Sequence, residues 1–167
     1  MITPATPSTS TLDSDTFRDV ISNLITAVSI ISTQRGDERF GVTASSVTSL
    51  SLSPASILVC LNQRLAIADV ISETGVFAVN ILGEEHGHMA TQFSQNHEDK
   101  FRGTNLTTGD LGSPILSDAL AHLECRLVER KDFATHAIFI AQIESASYRD
   151  GSPLAYWRSS FGNFGVE

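Results

Sequence analysis

The sequence predicts a mainly antiparallel β protein with flanking helices, folded as a closed or split β-barrel. Three observations carry that expectation. Two long runs alternate apolar and polar side chains: Ala121, Leu123, Cys125 and Leu127, then Ala137, Phe139, Ala141 and Ile143. A β-branched run from Thr26 to Thr33 is followed by a reversal at Gly36-Asp37 and a returning extended stretch from Gly41. Helical periodicity appears only in short pieces, whereas a doubly wound sheet alternates strand and helix throughout.

In chain order, residues 1–12 are rich in Thr, Ser and Pro and read as a disordered tail, leaving 13–167 as one domain. A helix begins near Ser14 or Asp15, with Asp13 and Asp15 suited to its positive end. Phe17, Val20, Ile21 and Leu24 fall on one face of it. The run Thr26–Thr33 is a strand, and Gly41–Asn62 reads as two extended segments joined by a turn at Pro54. Leu65–Ile71 is helical, and Gly75 supplies its C-terminal cap. Val76–Leu82 is a strand, and Glu84–Ser94 a second helix with Met89 and Phe93 four apart. Gln95–Ser117, punctuated by Gly103, Gly109, Gly112 and Pro114, reads as loop. The two long strands follow, then a turn at Gly151-Ser152-Pro153 and a short strand near Leu154–Trp157. There is no internal repeat and no interior linker.

Composition narrows the function. A net charge of −8 argues against a nucleic-acid or anionic-membrane surface, which needs a basic footprint. A small anionic ligand is compatible with it, because backbone N–H groups and one arginine can hold phosphate locally. No run approaches the ~18 apolar residues of a membrane span, and the N-terminus lacks a signal-peptide pattern, so the expected location is cytoplasmic. Cys60 and Cys125 sit in apolar runs without a CxxC and read as buried reduced thiols.

No G-x-G-x-x-G, Walker loop or G-x-S-x-G is present, which disfavours a Rossmann dinucleotide site. His86-Gly87-His88 opens a helix, where i and i+2 diverge by about 200°; it reads as a solvated helix start, and no metal site is expected. The stretch Gly41–Ser53 carries seven hydroxyl side chains, from Thr43, Ser45, Ser46, Thr48, Ser49, Ser51 and Ser53. Its residues alone leave two readings: a solvated edge strand, or a wall of small residues against which a flat polar ligand meets the backbone. His136 stands at the mouth of the second long strand, as a rim histidine or as a ring pointing into a cleft.

The order of pieces resembles the short-chain flavin reductases, the reductase components of two-component flavin-dependent monooxygenases such as the 4-hydroxyphenylacetate system. The likeness spans Phe17 to about Phe161. It rests on Ala27–Ile31, Gly41–Ser51, Pro54, Val59–Asn62, Phe77–Leu82, Ala90, Phe93, Lys100-Phe101, Leu123–Cys125, Thr135–Phe139 and Pro153–Tyr156. It implies a split-barrel, FMN-binding-like fold, a homodimer, and hydride transfer from NADH or NADPH to FMN or FAD, with the reduced flavin passed to an oxygenase. It places the flavin ring against Thr43, Ala44, Ser45, Ser46 and Ser49, with Cys60, Leu61, Asn62, Asn80 and Phe93 alongside. Arg64 and Ala66 would meet the phosphate, and His136 the nicotinamide. Two positions depart from the family pattern. Gln63-Arg64-Leu65-Ala66 stands where relatives carry more Ser or Thr, and Ala134 where glycine is common. A non-catalytic flavin carrier of the same fold is the alternative; an oxidase of the pyridoxamine phosphate type fits these motifs less well.

Overall fold

The computed structural model describes residues 12–96 and 99–164. The expected tail lies almost wholly outside them. Helix α1 (Ser14–Ile21) is capped by Asp13, whose carboxylate accepts hydrogen bonds from the backbone N–H groups of Asp15 and Thr16. It ends one turn earlier than its apolar pattern, so Leu24 lies beyond it. Its apolar face is not packed: Phe17, Val20 and Ile21 are all exposed.

The β-branched run does not form one strand. It divides at Val28 into β1 (Thr26–Ala27) and β2 (Ser29–Arg35), which belong to different sheets. Val28 makes the switch: its N–H donates to Leu154 O, and its carbonyl accepts from Leu82 N. Strand β3 (Glu38–Ala44) returns through the Gly36-Asp37 reversal, with Arg35 opposite Glu38 and Gly36 at φ 59°. The stretch from Gly41 to Ser53 is also divided. Its first part completes β3, and its second is β4 (Val47–Leu52), which hairpins through Ser53-Pro54 to β5 (Ala55–Asn62). Ser45 and Ser46 are the connector between them.

Helix α2 (Ala66–Thr74) ends on Gly75 in the left-handed region, and β6 (Val76–Ile81) follows. A short 3-10 turn at Glu84–His86 leads into α3 (Gly87–Ser94), with Met89, Ala90 and Phe93 buried. The expected loop at Gln95–Ser117 contains a two-stranded ribbon, β7 (Leu106–Thr108) and β8 (Pro114–Leu116). Three-residue strands between glycines are too short to show a period. The two long strands, β9 (Ala121–Phe133) and β10 (His136–Tyr148), thirteen residues each, then form a hairpin. A terminal hairpin of β11 (Leu154–Trp157) and β12 (Ser160–Asn163) closes the described chain; sequence periodicity indicated only its first strand.

The main sheet has the order β3-β2-β6-β9-β10-β5-β4, antiparallel throughout. Its two edge strands are joined by just two residues, so the sheet must curl until its edges meet. No ladder joins β3 to β4 among the described residues, which is the split in the barrel. Inside lie Ile31, Val59, Phe77, Val79, Cys125 and Phe139, and Ile67, Ala68 and Ile71 of α2 join this core. Each fully buried Phe or Ile contributes on the order of 2 kcal/mol of transfer free energy. A second cluster, built on Val28, Ile30, Leu82, Phe93, Phe101 and Leu116, packs α3 and β8 against the outside of the sheet. No described helix is long and apolar enough to cross a membrane.

Candidate active site

The site begins where the barrel is split. Because β3 and β4 belong to opposite edges, Ser45 and Ser46 bridge the gap with both side chains exposed. Cys60 on β5 lies beside them: its N–H donates to Ser46 O at 3.0 Å. The pleat of β5 buries Val59 and Leu61 in the barrel and leaves Leu58, Cys60 and Asn62 half-buried on the other face. Ser45, Ser46 and Cys60 line a cavity of about 690 Å³, together with Leu58, Tyr156 and Arg158. Cys60 is therefore not the core thiol expected from its apolar run, although partial burial still raises its pKa. Cys125 is: burial, with Glu124 adjacent, pushes its thiol to about 12, so it stays protonated and inert.

At the end of β5 the chain meets the mouth of β10. His136 stands opposite Asn62 across the β5–β10 ladder and opposite Phe133 across β9–β10. The histidine is exposed, and Thr135 Oγ1 lies 2.8 Å from its Nδ1. Gln63 fixes this corner by donating from its backbone N to Thr135 O (3.1 Å) and from Nε2 to His136 O (2.9 Å). The tight β9–β10 turn places Ala134 at φ 50°, in the left-handed region that glycine occupies without cost. That is the position at which the sequence departs from glycine.

Beyond Asn62 lies the start of α2. Asn62 Oδ1 accepts from Arg64 N at 3.0 Å, ordering the turn, and Arg64 itself is exposed. Leu65 occupies the N-cap and offers no capping side chain, so the first turn of α2 presents its N–H groups without an internal side-chain acceptor. Next to an exposed guanidinium, this donor set suits a phosphate.

The sequence-predicted residues thus divide. Ser45, Ser46, Cys60, Asn62, Arg64, Ala66 and His136 gather along the split and the end of β5. Ala44 and Leu61 adjoin them, but both side chains are in the core, leaving only backbone to offer. Thr43 is half-buried and donates from Oγ1 to Ala90 O on α3, and Ser49 is exposed farther along β4 without lining the cavity.

Two residues are not in the site at all. Asn80 is fully buried; its Nδ2 donates to Ile30 O and Ser32 Oγ, and its Oδ1 accepts from Leu116 N. It ties β8 to the sheet and has no face left for a ligand. Phe93 is fully buried and packs edge-on against Phe101 at 4.9 Å between ring centroids. His86, expected to be solvated, is 5% exposed. The features that sequence reasoning missed are Arg158 and Tyr156, brought to the cavity by β11 and the turn after it. Only the pairing of β11 with β1 places them there.

A planar, anionic cofactor fits this arrangement: small exposed residues and backbone at the wall, an adjoining cavity with apolar lining, and phosphate donors at one end. Among the described residues no three His, Cys, Asp or Glu side chains come together as a metal site.

Known proteins match most of this chain. Residues 21–165 match the family model described as flavin reductase like domain. The reductase component of 4-nitrophenol 4-monooxygenase/4-nitrocatechol 2-monooxygenase from Rhodococcus opacus is 38% identical over 153 residues, covering 92% of this chain and 82% of that protein. The 4-hydroxyphenylacetate 3-monooxygenase reductase component of Salmonella typhimurium is 33% identical over 150 residues, covering 87% and 88%. The structure of the NADH:FAD oxidoreductase SgcE6 of Streptomyces globisporus, solved with NAD and FAD fragments, superimposes with a TM-score of 0.87 at 27% identity, covering 92% of this chain and 93% of that one. Sequence order and split-barrel topology agree, and the chain belongs to the flavin reductase like domain family.

Proposed function

We propose that this chain is an NAD(P)H:flavin oxidoreductase that reduces FMN or FAD and supplies the reduced flavin to a partner monooxygenase. One observation carries the reading: the exposed Ser45-Ser46 bridge and Cys60 share one cavity, with the α2 N-terminus and His136 at the end of the same strand. The functions named for relatives across nearly the whole chain support it.

A bound nicotinamide and flavin supply hydride transfer between their own rings. The chain's part is to hold them. Backbone and hydroxyl donors at Ser45 and Ser46 bind the flavin's polar edge, with the backbone of Ala44 and Leu61 close behind and Cys60 and Asn62 at its flank. Because these donors are fixed by the barrel, they stabilise charge gained on reduction without first reorganising. Arg64 and the N–H of Ala66 hold the phosphate. His136 orients the nicotinamide and needs no proton transfer to do so, while Leu58 and Tyr156 keep water from the apolar side.

The natural occupant for the exposed face of α1 is a second copy. Phe17, Val20 and Ile21, with Leu24 and Ile25 after the helix, form an apolar surface of the kind that a homodimer buries. A cytoplasmic setting, with nicotinamide and an oxygenase partner in the same compartment, completes the reading.

The test is a steady-state assay of NADH and NADPH absorbance at about 340 nm, with and without added FMN or FAD. Oxidation that depends on added flavin is expected. Flavin binding without nicotinamide oxidation would instead identify a carrier.

A further inference from the structure

Helix α2 carries an acidic residue, Asp69, in the first turn, close to its proposed phosphate-binding end. A carboxylate there complements the positive end of the helix, and so competes with an external anion for the same field. Leu65 at the N-cap adds no acceptor of its own. Asp69 is thus an internal rival of any phosphate at Arg64 and Ala66.

Arg130 of β9 meets this carboxylate from the side. Its Nη1 donates to Asp69 Oδ1 at 3.2 Å, and also to Ala68 O at 3.3 Å and Ser72 Oγ at 2.9 Å. Its Nε donates to Asp132 Oδ1 at 2.8 Å. The guanidinium lies 5.7 Å from the ring centroid of Phe139, which is fully buried and directly opposite it in the β9–β10 ladder. The Arg130 side chain is 22% exposed and that of Asp69 68%, so the arginine is the fixed partner and the aspartate is drawn to it.

Stabilising the helix does not explain a cation in this place. The positive end of α2 repels it, and a cation would be favoured at the last turn, where α2 has no basic residue. Control of charge does explain it. Arg130 stands between two carboxylates, so Asp69, Arg130 and Asp132 together carry a net −1; without the guanidinium they would carry −2 beside the phosphate donors. We propose that Arg130 is a positioning residue that neutralises Asp69, keeping the N-terminus of α2 and Arg64 open to the flavin phosphate. It acts through α2 and need not touch the flavin. The assignment rests on the flavin reductase reading, with the phosphate held at Arg64 and Ala66.

Isothermal titration of the full chain with FMN and riboflavin needs no turnover. Arg130→Gln should weaken FMN about three- to fivefold, an ion pair discounted for partial exposure, while riboflavin stays within about twofold. The difference should shrink as salt is raised to about 0.5 M. Arg130→Lys keeps the charge and should hold FMN to within about threefold of the unaltered chain. Adding Asp69→Asn to Arg130→Gln returns the cluster to −1, and FMN affinity should return to within about twofold. Asp69→Asn alone, at an exposed position that needs no repacking, should tighten FMN about twofold and leave riboflavin unchanged. This single variant decides the matter even if Arg130→Gln does not fold: unchanged or weaker FMN binding overturns the proposal. So does an FMN-to-riboflavin ratio unmoved by Arg130→Gln, a parallel loss of both flavins, or failure of Asp69→Asn to rescue. A merely structural arginine would give the parallel loss and no rescue. Equal binding of FMN and riboflavin by the unaltered chain would remove the phosphate from α2 and the proposal with it, while NADH oxidation with riboflavin would leave the reductase reading standing. Failure to oxidise NADH with any flavin would overturn that reading separately, with the FMN-to-riboflavin ratio still measured by titration.

Discussion

His136 faces Asn62 directly across the β5–β10 ladder, and Gln63, the next residue along, donates to both Thr135 O and His136 O. The flavin flank and the histidine thus share one braced corner. His136→Ala should lower turnover about ten- to a hundredfold, the cost of a lost orienting contact, while flavin affinity stays within about twofold. Steady-state kinetics paired with flavin titration checks this. An unchanged rate would remove His136 from the reaction.

Arg64 has the converse signature. It is exposed, and its backbone rather than its side chain orders the turn through Asn62 Oδ1. Arg64→Ala should therefore spare the fold and weaken FMN by about five- to tenfold, a charge-assisted hydrogen bond discounted for its exposure. Riboflavin, lacking the phosphate, should bind both proteins equally. A parallel loss for riboflavin would mean that Arg64 acts on the ring or on the fold.

Much of this was legible before the structure, and the exceptions have physical causes. Long alternating strands announce themselves: β9 and β10 are thirteen residues each, with Cys125, Ala137, Phe139 and Ala141 turned inward as their alternation requires. Capping chemistry located α1 and α2 through Asp13 and Gly75. What could not be read was where an extended run changes partner. Val28 and the Ser45-Ser46 bridge look like ordinary strand residues, and only the sheet order shows that the chain crosses at each from one neighbour to another. Asn80 and Phe93, which the resemblance sets beside the flavin, lie buried among protein partners instead, and a related ambiguity hides this from the sequence. A polar side chain in a strand and an aromatic one on a helix look alike whether they face a ligand or a partner such as Leu116 N or Phe101. Tyr156 and Arg158 reach the cavity through a pairing 130 residues distant in sequence, between Thr26 and Tyr156.

Gly109 tests the packing of the β7–β8 ribbon. It lies against the buried carboxylate of Glu124, which accepts from Leu111 N at 2.8 Å, and a Cβ on residue 109 would overlap Glu124 Oε1. Gly109→Ala should cost about 2–4 kcal/mol, lowering the melting temperature by roughly 5–15 °C. Gly162→Ala, with open space around it, should change it little. Placed in a Glu124→Ala background, Gly109→Ala should cost far less than in the unaltered chain, because the overlap is gone. Equal costs in both backgrounds would show that something other than Glu124 resists the methyl group.

His86 sets a pH dependence of stability. Its Nδ1 accepts from Gly83 N at 3.2 Å, so the ring is neutral in the fold, and its Nε2 lies 3.7 Å from Glu85 Oε1. Burial lowers its pKa below the ordinary 6.5; Glu85 and Asp118 pull the other way, while Arg149 and His88 add to the lowering. With the folded pKa depressed, the unfolded chain takes up the proton first as pH falls. The contribution is fully present above pH 6.5 and is lost as pH drops through the folded pKa. His86→Gln keeps an acceptor for Gly83 N and removes the titration. Urea unfolding from about pH 7.5 to about pH 5 should show the unaltered chain losing stability relative to this variant, the gap opening below pH 6.5. Parallel profiles would mean that His86 keeps the same proton affinity folded and unfolded, and that the Gly83 contact does not hold the ring neutral.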